Sequence, residues 1–316
     1  MVNTIRGNNL SNASFLSIQG KKSLGIVCPR LFFCGFLIPP LLQKEKRKVF
    51  SVRPRIDCHT HIVSPAIRDE YFQRAQGFAL VMQFPPGLME NPQCIQTVLS
   101  DPRLFLCPCV DLHRPIPPQL SELEPHLDEW KVVGLKVYLT YQKGRACDEK
   151  MIPIYEFARQ HQLAVTFHTG LCSLVLPSEN DMEGSQAKYI AQAAQRFPEV
   201  NFIIAHMDDP RFMECAALLH RHKNLFTDVS GAYETGTKEG NDVQGAIATF
   251  RQALLSQPDL WKQFLYGTDF CPPLNLGQLD EYDETIEKIF PPETFDAIYY
   301  QNCLRAFPRL GRWLSL

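Results

Sequence analysis

Asp57-Cys58-His59-Thr60-His61 ends the first strand-like run of this chain and sets the pattern from which its fold can be predicted. Three later apolar runs end in the same way, in an imidazole or a carboxylate: Thr166-Phe167-His168, Ile204-Ala205-His206 and Tyr266-Gly267-Thr268-Asp269. Polar residues placed where buried strands give way to loops are typical of functional sites. The pattern therefore predicts that several strands bring one set of side chains together.

From residue 53 onward, strand-like apolar runs alternate with amphipathic helical runs, which indicates a parallel α/β fold. The eight predicted strands cover residues 54–59, 79–84, 104–111, 132–139, 164–168, 201–206, 225–229 and 264–269. The predicted helices include residues 92–100, 117–130, 152–161, 186–197, 211–222, 243–256 and 282–289. Eight strands and their helices in about 260 residues have the size of a (β/α)8 barrel, a TIM barrel. A doubly wound open sheet is the alternative, but no GxGxxG motif follows an early strand.

Composition narrows the class of partner. The 316 residues are 45% hydrophobic and 21% charged, with a formal net charge of −2, so nothing in the whole chain favours nucleic acid or an anionic membrane. We expect a small-molecule substrate, no nucleic acid, and a homodimer as one oligomeric state.

Eleven cysteines without a CxxC pair predict buried thiols in a reducing compartment, and hence a cytoplasmic protein.

The amino-terminal segment differs from the rest. Residues 1–48 carry eight Lys or Arg against the single acid Glu45. An apolar stretch at 31–42 is too short to cross a bilayer, so no transmembrane span is predicted. We interpret residues 1–52 as a basic extension that is disordered or targets the chain to an organelle or to secretion, and residues 53–316 as a single barrel domain.

In a (β/α)8 barrel the functional groups stand at the carboxyl ends of the strands, and alternate strand residues face inward. On the first strand, alternation predicts that Asp57, His59 and His61 face the cavity while Ile56 and Cys58 face the helices. On the other strands it predicts that the inward residues are Gly134, Lys136, Tyr138, Ala164, Thr166, His168, Ile204, His206, Gly267 and Asp269.

The histidines and the aspartate predicted to face the cavity suit a divalent metal ion. Neutral imidazole nitrogens and carboxylate oxygens are good ligands for zinc, and a catalytic site supplies three or four of them while leaving a position for water. A metal lowers the pKa of water from about 15.7 toward 7. We therefore predict a divalent metal ion, with zinc as the first choice and manganese as the second.

In these strand-end motifs the chain resembles the amidohydrolase superfamily. It is most similar to the amidohydrolase-related branch (amidohydrolase 2) of small TIM barrels, which includes metal-dependent hydrolases and decarboxylases of the aminocarboxymuconate-semialdehyde type. The resemblance covers roughly residues 54–308. It rests on Asp57-x-His59-x-His61, Gly134-Leu135-Lys136, His168, His206, Gly267-Thr268-Asp269 and the final Asn302-Cys303-Leu304-Arg305-Ala306-Phe307.

The resemblance implies roles for particular residues. It implies metal ligation by His59, His61, His168 and Asp269. It also implies that Asp269 acts as a general base and that His206 transfers a proton or polarises the substrate. Lys136 is a supporting residue, or a bridging ligand if two metals bind, and a one-metal site is favoured. Asp57, Ser230 and Asn302 are expected to hold the ligand side chains in place without binding the metal themselves.

The function implied is hydrolysis of a C–O or C–N bond in a lactone, ester or amide of a small organic acid. One alternative is non-oxidative decarboxylation at the same site, and another is a barrel that binds metal or ligand without turnover. The loops expected around the cavity are 84–89, 138–145, 171–180, 233–241 and 270–276. Their Lys143, Arg145 and Lys238 suit a substrate carboxylate.

Overall fold

The computed structural model describes residues 54–89, 92–170, 177–228, 230, 243–272 and 279–314. The predicted extension, 1–52, lies outside these residues, as do the loop segments 171–176, 233–241 and 273–276.

Eight strands occur within the described residues, and each falls within or next to a predicted one. They are β1 (Ile56–Thr60), β2 (Phe78–Met82), β3 (Leu104–Cys107), β4 (Gly134–Tyr138), β5 (Ala164–His168), β6 (Phe202–Ile204), β7 (Leu225–Asp228) and β8 (Phe264–Leu265). The bounds of β5 are those predicted, whereas β8 is much shorter than residues 264–269.

The strands close into a barrel. β1-β2-β3 and β4-β5-β6-β7-β8 form two parallel sheets. Single bridges from Leu106 to Val132 and from Cys109 to Lys136 connect β3 with β4. On the other side, a bridge joins Thr60 to Phe270, just beyond β8. The predicted (β/α)8 barrel is therefore confirmed, and the carboxyl ends of its strands share one mouth.

Helices connect the strands and cover the outside. They are α1 (Pro65–Arg74), α2 (Cys94–Leu99), α3 (Ile116–Leu123), α4 (Leu139–Gln142), α5 (Ile152–His161), α6 (Ala187–Arg196), α7 (Phe212–Arg221), α8 (Val243–Ser256), α9 (Leu279–Ile289) and α10 (Asn302–Ala306). Helix α1 was not among the predicted ones, although Ser64 caps it and Pro65 begins it. Within the described chain, no helix has both the length and the hydropathy to cross a membrane.

Buried apolar side chains form two clusters, one inside the barrel and one between strands and helices. The inner cluster draws on every strand or its flank, and on the carboxyl-terminal segment through Phe307 and Leu310. It contains Ile56, Cys58 and Ile203, whereas Ile204 belongs to the outer cluster.

The predicted facing was therefore wrong on β1 and β6. On β1 the register shifts between Asp57 and Thr60, a bulge that breaks strict alternation. As a result Cys58 lies inside the barrel and yet His59, the next residue, also reaches the cavity. On β6 the strand ends at Ile204, and His206 has a left-handed backbone (φ 60°) that directs its side chain independently of strand alternation.

Candidate metal centre

His59, His61 and Asp269 converge at the mouth of the barrel. His61 Nε2 lies 3.2 Å from Asp269 Oδ1, and His59 Nε2 lies 3.5 Å from the same oxygen. One nitrogen or oxygen from each of the three residues lies within 4.8 Å of the others. The structure thus brings together three of the four predicted ligands.

The tautomer of His61 shows why this group suits a cation. Its Nδ1 is 2.8 Å from the carbonyl oxygen of Met82, which can only accept, so Nδ1 carries the proton. Burial lowers the pKa of His61, so the ring is neutral and Nε2 holds a lone pair. That lone pair faces Asp269 Oδ1 at 3.2 Å. Two acceptors at this distance repel each other unless a cation lies between them, so the residues fit a metal ion.

His59 is held in the same tautomer from the opposite side of the cavity. Its Nδ1 lies 2.8 Å from Asp228 Oδ2. Burial lowers the pKa of His59 to about 4, and the nearby Lys136 acts in the same direction. Burial alone would raise the pKa of Asp228, but the contact with His59 outweighs it and holds this pKa at about 2. An ionised Asp228 is an acceptor beside Nδ1, and the other ring nitrogen of His59, Nε2, faces the cavity.

Asp269 keeps its negative charge in this setting. Burial opposes ionisation, but electrostatic attraction from His59 and the other nearby histidines outweighs it, and the pKa of Asp269 lies well below its usual range. Its backbone is left-handed (φ 53°), and its N–H donates to the carbonyl of His59 at 2.8 Å. The turn after β8 is therefore tied to β1.

Lys136 enters the same cluster from β4. Its side chain is fully buried, and Nζ lies 3.0 Å from His59 Nε2. Burial lowers the pKa of Lys136, whereas Asp228 and Asp269 act to raise it. The lysine predicted to support the centre therefore contacts the nitrogen that would bind a metal.

His168 and His206 form a pair beside this group. His206 Nδ1 lies 2.6 Å from the carbonyl oxygen of Ser230 and so carries the proton. His206 Nε2 then accepts from His168 Nδ1 at 3.2 Å. His168 Nε2 is left as a buried acceptor with no hydrogen-bond partner among the described residues. His168 is not in the compact group with Asp269, so its part in metal binding stays a prediction.

Asp228 was not among the site residues predicted from the sequence. It lies at the end of β7, fully buried, and bonds to His59, to Ser230 and to the backbone N–H of His206. The signal was present, since Leu225-Phe226-Thr227-Asp228 is another apolar run that ends in a carboxylate. A second group of close donor atoms consists of His59, His206 and Asp228. The Asp228 carboxylate is already used by its hydrogen bonds to His59, to Ser230 and to the backbone of His206.

Asp57 and Ser230, two other predicted supporting residues, lie next to this group. Asp57 faces α1 and not the cavity, so the prediction from strand alternation was wrong for this residue. Asp57 Oδ1 accepts from the N–H groups of His59 (3.2 Å) and Thr268 (3.1 Å). Its Oδ2 accepts from Tyr71 (2.8 Å) and the Thr268 hydroxyl (2.6 Å). The Ser230 hydroxyl donates to Asp228 Oδ1 at 2.6 Å. Asp57 therefore joins β1, α1 and the turn that carries Asp269.

Asn302 does not lie at the centre, which corrects the sequence-based expectation. Its amide donates to the carbonyls of Trp261 (2.8 Å) and Phe264 (2.6 Å), at the amino end of β8. Functional groups stand at the opposite end of the strands. The asparagine holds the carboxyl-terminal helix to the barrel.

A cavity of about 500 Å³ lies between the loops that follow β2 and β3. Its wall includes Phe84, whose ring stacks on that of His61 with centroids 4.0 Å apart. Met89 and Ile95 add apolar surface, and Arg114 adds a cationic group. The basic groups predicted from the sequence were Lys143, Arg145 and Lys238. Lys238 lies outside the described residues, and Arg145 lies over the ring of Tyr189.

These observations describe a closed parallel barrel with imidazole and carboxylate groups at its mouth that suit a metal ion. A family model described as Amidohydrolase matches residues 56–309. The chain belongs to this amidohydrolase family, whose members are metal-dependent.

Solved structures share the fold at low sequence identity. A probable 2-pyrone-4,6-dicarboxylic acid hydrolase from Acinetobacter baumannii, with citric acid bound, is 16% identical over 80% of this chain and 99% of its own, with a TM-score of 0.57. An amidohydrolase from Burkholderia multivorans with bound zinc is 16% identical over 81% and 99%, with a TM-score of 0.58. The 5-carboxyvanillate decarboxylase of Sphingomonas paucimobilis is 15% identical over 76% and 82%, with a TM-score of 0.54. No curated protein sequence matches the chain.

Proposed function

We propose that the protein is a metal-dependent hydrolase that cleaves a C–O or C–N bond in a small organic acid. The observation that carries this proposal is the unprotonated Nε2 of His61 facing Asp269 Oδ1 at 3.2 Å, with His59 Nε2 beside them. This arrangement of acceptors needs a cation. Zinc is the proposed ion because it prefers such nitrogen and oxygen donors, and manganese is the second choice.

In this proposal the metal is held by His59, His61, Asp269 and His168. When bound, it would polarise the substrate carbonyl and make water a stronger acid near neutral pH. Asp269, which stays ionised, would accept the proton of the attacking water and pass it to the leaving group. His206 would orient His168 through their 3.2 Å contact, and its predicted part in proton transfer is retained in the proposal.

The proposed substrate is a flat organic acid. Phe84, Met89 and Ile95 offer apolar walls for its ring or alkenyl chain, and Arg114 offers a partner for a carboxylate. Phe84 also stacks on His61, so a molecule in this cavity lies one side chain away from the centre. The citric acid in the related Acinetobacter structure agrees with a preference for carboxylates.

Decarboxylation is the second candidate. It requires a proton to be delivered to carbon, and Lys136 Nζ is a fully buried donor at the centre. A related fold occurs in the 5-carboxyvanillate decarboxylase. The two reactions can be distinguished by what they consume and release, because hydrolysis consumes water and decarboxylation releases carbon dioxide.

The experiment is metal analysis of protein purified without chelator, for wild type, His61→Ala and Asp269→Asn. We expect about one equivalent in wild type and strong loss in both variants, with His126→Ala, a partly exposed histidine that pairs with Glu129 outside the centre, as the control. A panel of lactones, amides and aromatic carboxylates, assayed for acid and for carbon dioxide, then assigns the reaction. Full metal content in both variants would overturn the proposed centre.

A further inference from the structure

The Asp228 carboxylate makes all its described hydrogen bonds to residues at the proposed metal centre. Oδ1 accepts from the backbone N–H of His206 (2.9 Å), from the N–H of Ser230 (3.2 Å) and from the Ser230 hydroxyl (2.6 Å). Oδ2 faces His59 Nδ1 at 2.8 Å. One carboxylate therefore links β7 with the residues contributed by β1 and by the turn after β6.

We propose that Asp228 is a positioning residue that fixes the tautomer of His59. It keeps the ring proton on Nδ1, and so holds the Nε2 lone pair toward the metal. The inference rests on the proposed function in taking His59 as a ligand.

The groups around the two ring nitrogens of His59 agree with this assignment. On the Nδ1 side lie Asp228 Oδ2 at 2.8 Å and Ser230 Oγ at 3.2 Å. The Ser230 hydroxyl proton is already directed to Asp228 Oδ1, so Ser230 Oγ presents a lone pair to His59. Both neighbours of Nδ1 are acceptors. On the Nε2 side the nearer group is Lys136 Nζ, which donates at 3.0 Å, and the Asp269 Oδ1 acceptor lies farther away at 3.5 Å.

Asparagine has nearly the same shape as aspartate, so Asp228→Asn keeps the packing around His59. It changes only the hydrogen-bonding groups, and the effect on the His59 tautomer can be measured on its own. The amide oxygen must take the Oδ1 position, where three donors converge. The amide NH₂ then faces His59 Nδ1, which must become an acceptor. The ring proton moves to Nε2, the nitrogen that the metal needs. Loss of such a partner behind a ligand typically lowers metal affinity by about 10–100-fold.

The experiment compares wild type, Asp228→Asn and Asp101→Asn in two measurements. Proton–nitrogen correlation spectra of metal-free protein labelled with ¹⁵N-histidine show which ring nitrogen carries the proton, with His59 assigned from a His59→Gln variant. Competition with a chelator gives the affinity for Zn²⁺. Asp101 is the matched control, because it is a buried carboxylate that pairs with Arg103 just before β3, at the far end of the barrel.

We expect the proton on Nδ1 in wild type and on Nε2 in Asp228→Asn, with Zn²⁺ affinity about 10–100-fold weaker in that variant and unchanged in Asp101→Asn. Wild-type His59 protonated at Nε2 overturns the inference, even if Asp228→Asn does not fold. Wild-type Zn²⁺ affinity in a folded Asp228→Asn also overturns it. If wild type binds no Zn²⁺, the proposed function fails, whereas the spectra of metal-free protein still test the tautomer.

Discussion

Tyr71→Phe should destabilise the protein because it removes a hydrogen bond from helix α1 to the Asp57 carboxylate in strand β1. The Tyr71 hydroxyl, in α1, donates to Asp57 Oδ2 at 2.8 Å, and both side chains are buried. A hydrogen bond to a charged group contributes about 1.5–3 kcal/mol. Because the Thr268 hydroxyl still serves the same oxygen, we expect the lower part of this range, about 1.5–2 kcal/mol. For a domain of this size that lowers Tm by roughly 3–8 °C.

The loss should depend on pH. Burial raises the pKa of Asp57 to about 7, although hydrogen bonds from Thr268, Tyr71 and His59 act against it. The folded pKa is above the ordinary value of 3.8, so this group reduces stability as pH rises from about 4 through 7, as the folded carboxyl becomes ionised. The Tyr71 hydroxyl stabilises the ionised form, and Tyr71→Phe should therefore lose more free energy of unfolding at pH 8 than at pH 6.

Urea unfolding of metal-free protein at the two pH values measures this effect. Tyr155→Phe is the control, because its buried hydroxyl donates to the neutral carbonyl of Ala146. It should lose about 0.5–1.5 kcal/mol at both pH values. A loss below about 0.5 kcal/mol for Tyr71→Phe at pH 8, or equal losses at pH 6 and pH 8, would refute the reasoning.

Three further predictions concern other parts of the barrel. His59 should make metal-free protein less stable as pH falls from 6.5 to about 4, because unfolded His59 binds a proton at 6.5 while the folded residue does so only at about 4. Asp57 acts in the opposite direction over this range, so the measurement is the difference in free energy of unfolding between wild type and His59→Gln in urea titrations; this difference should change by about 1.4 kcal/mol per pH unit, and a constant difference would contradict the prediction. Gly134→Ala should cost about 1–3 kcal/mol, since its Cβ would lie 3.0 Å from the Phe307 ring inside the barrel, and an unchanged Tm would show that the ring can move. Arg114→Gln should raise KM for a carboxylate substrate with little change in kcat, whereas an equal effect on the matching amide would show that Arg114 does not bind the carboxylate.

The barrel was predictable because local patterns carry it. Strand residues 164–168 and helix residues 152–161 and 243–256 have the predicted bounds, since each is a strongly apolar or amphipathic run between clear breaks. The predicted ends of the strands were less accurate. β8 is formed by Phe264–Leu265 alone, because ladder pairing with β7 ends there while the apolar pattern of the sequence continues.

The direction of individual side chains was less predictable. Alternation placed Ile56 and Cys58 outside and Ile204 inside, and each of these assignments was wrong. A bulge on β1 and a left-handed turn at His206 redirect the chain. Both depend on hydrogen bonds to distant residues, such as that from the His206 N–H to Asp228 Oδ1 at 2.9 Å.

The sequence by itself determined the family, the order of the strands and the candidate ligands, because motifs at strand ends and the spacing of apolar runs are properties of the chain. Only the tertiary structure decided which of these side chains meet, that Asp228 holds His59, and that Asn302 lies at the opposite end of β8. The physical reason is that hydrogen bonding and burial depend on residues far apart along the chain. His59 and Asp228 are 169 residues apart and yet 2.8 Å apart across the barrel.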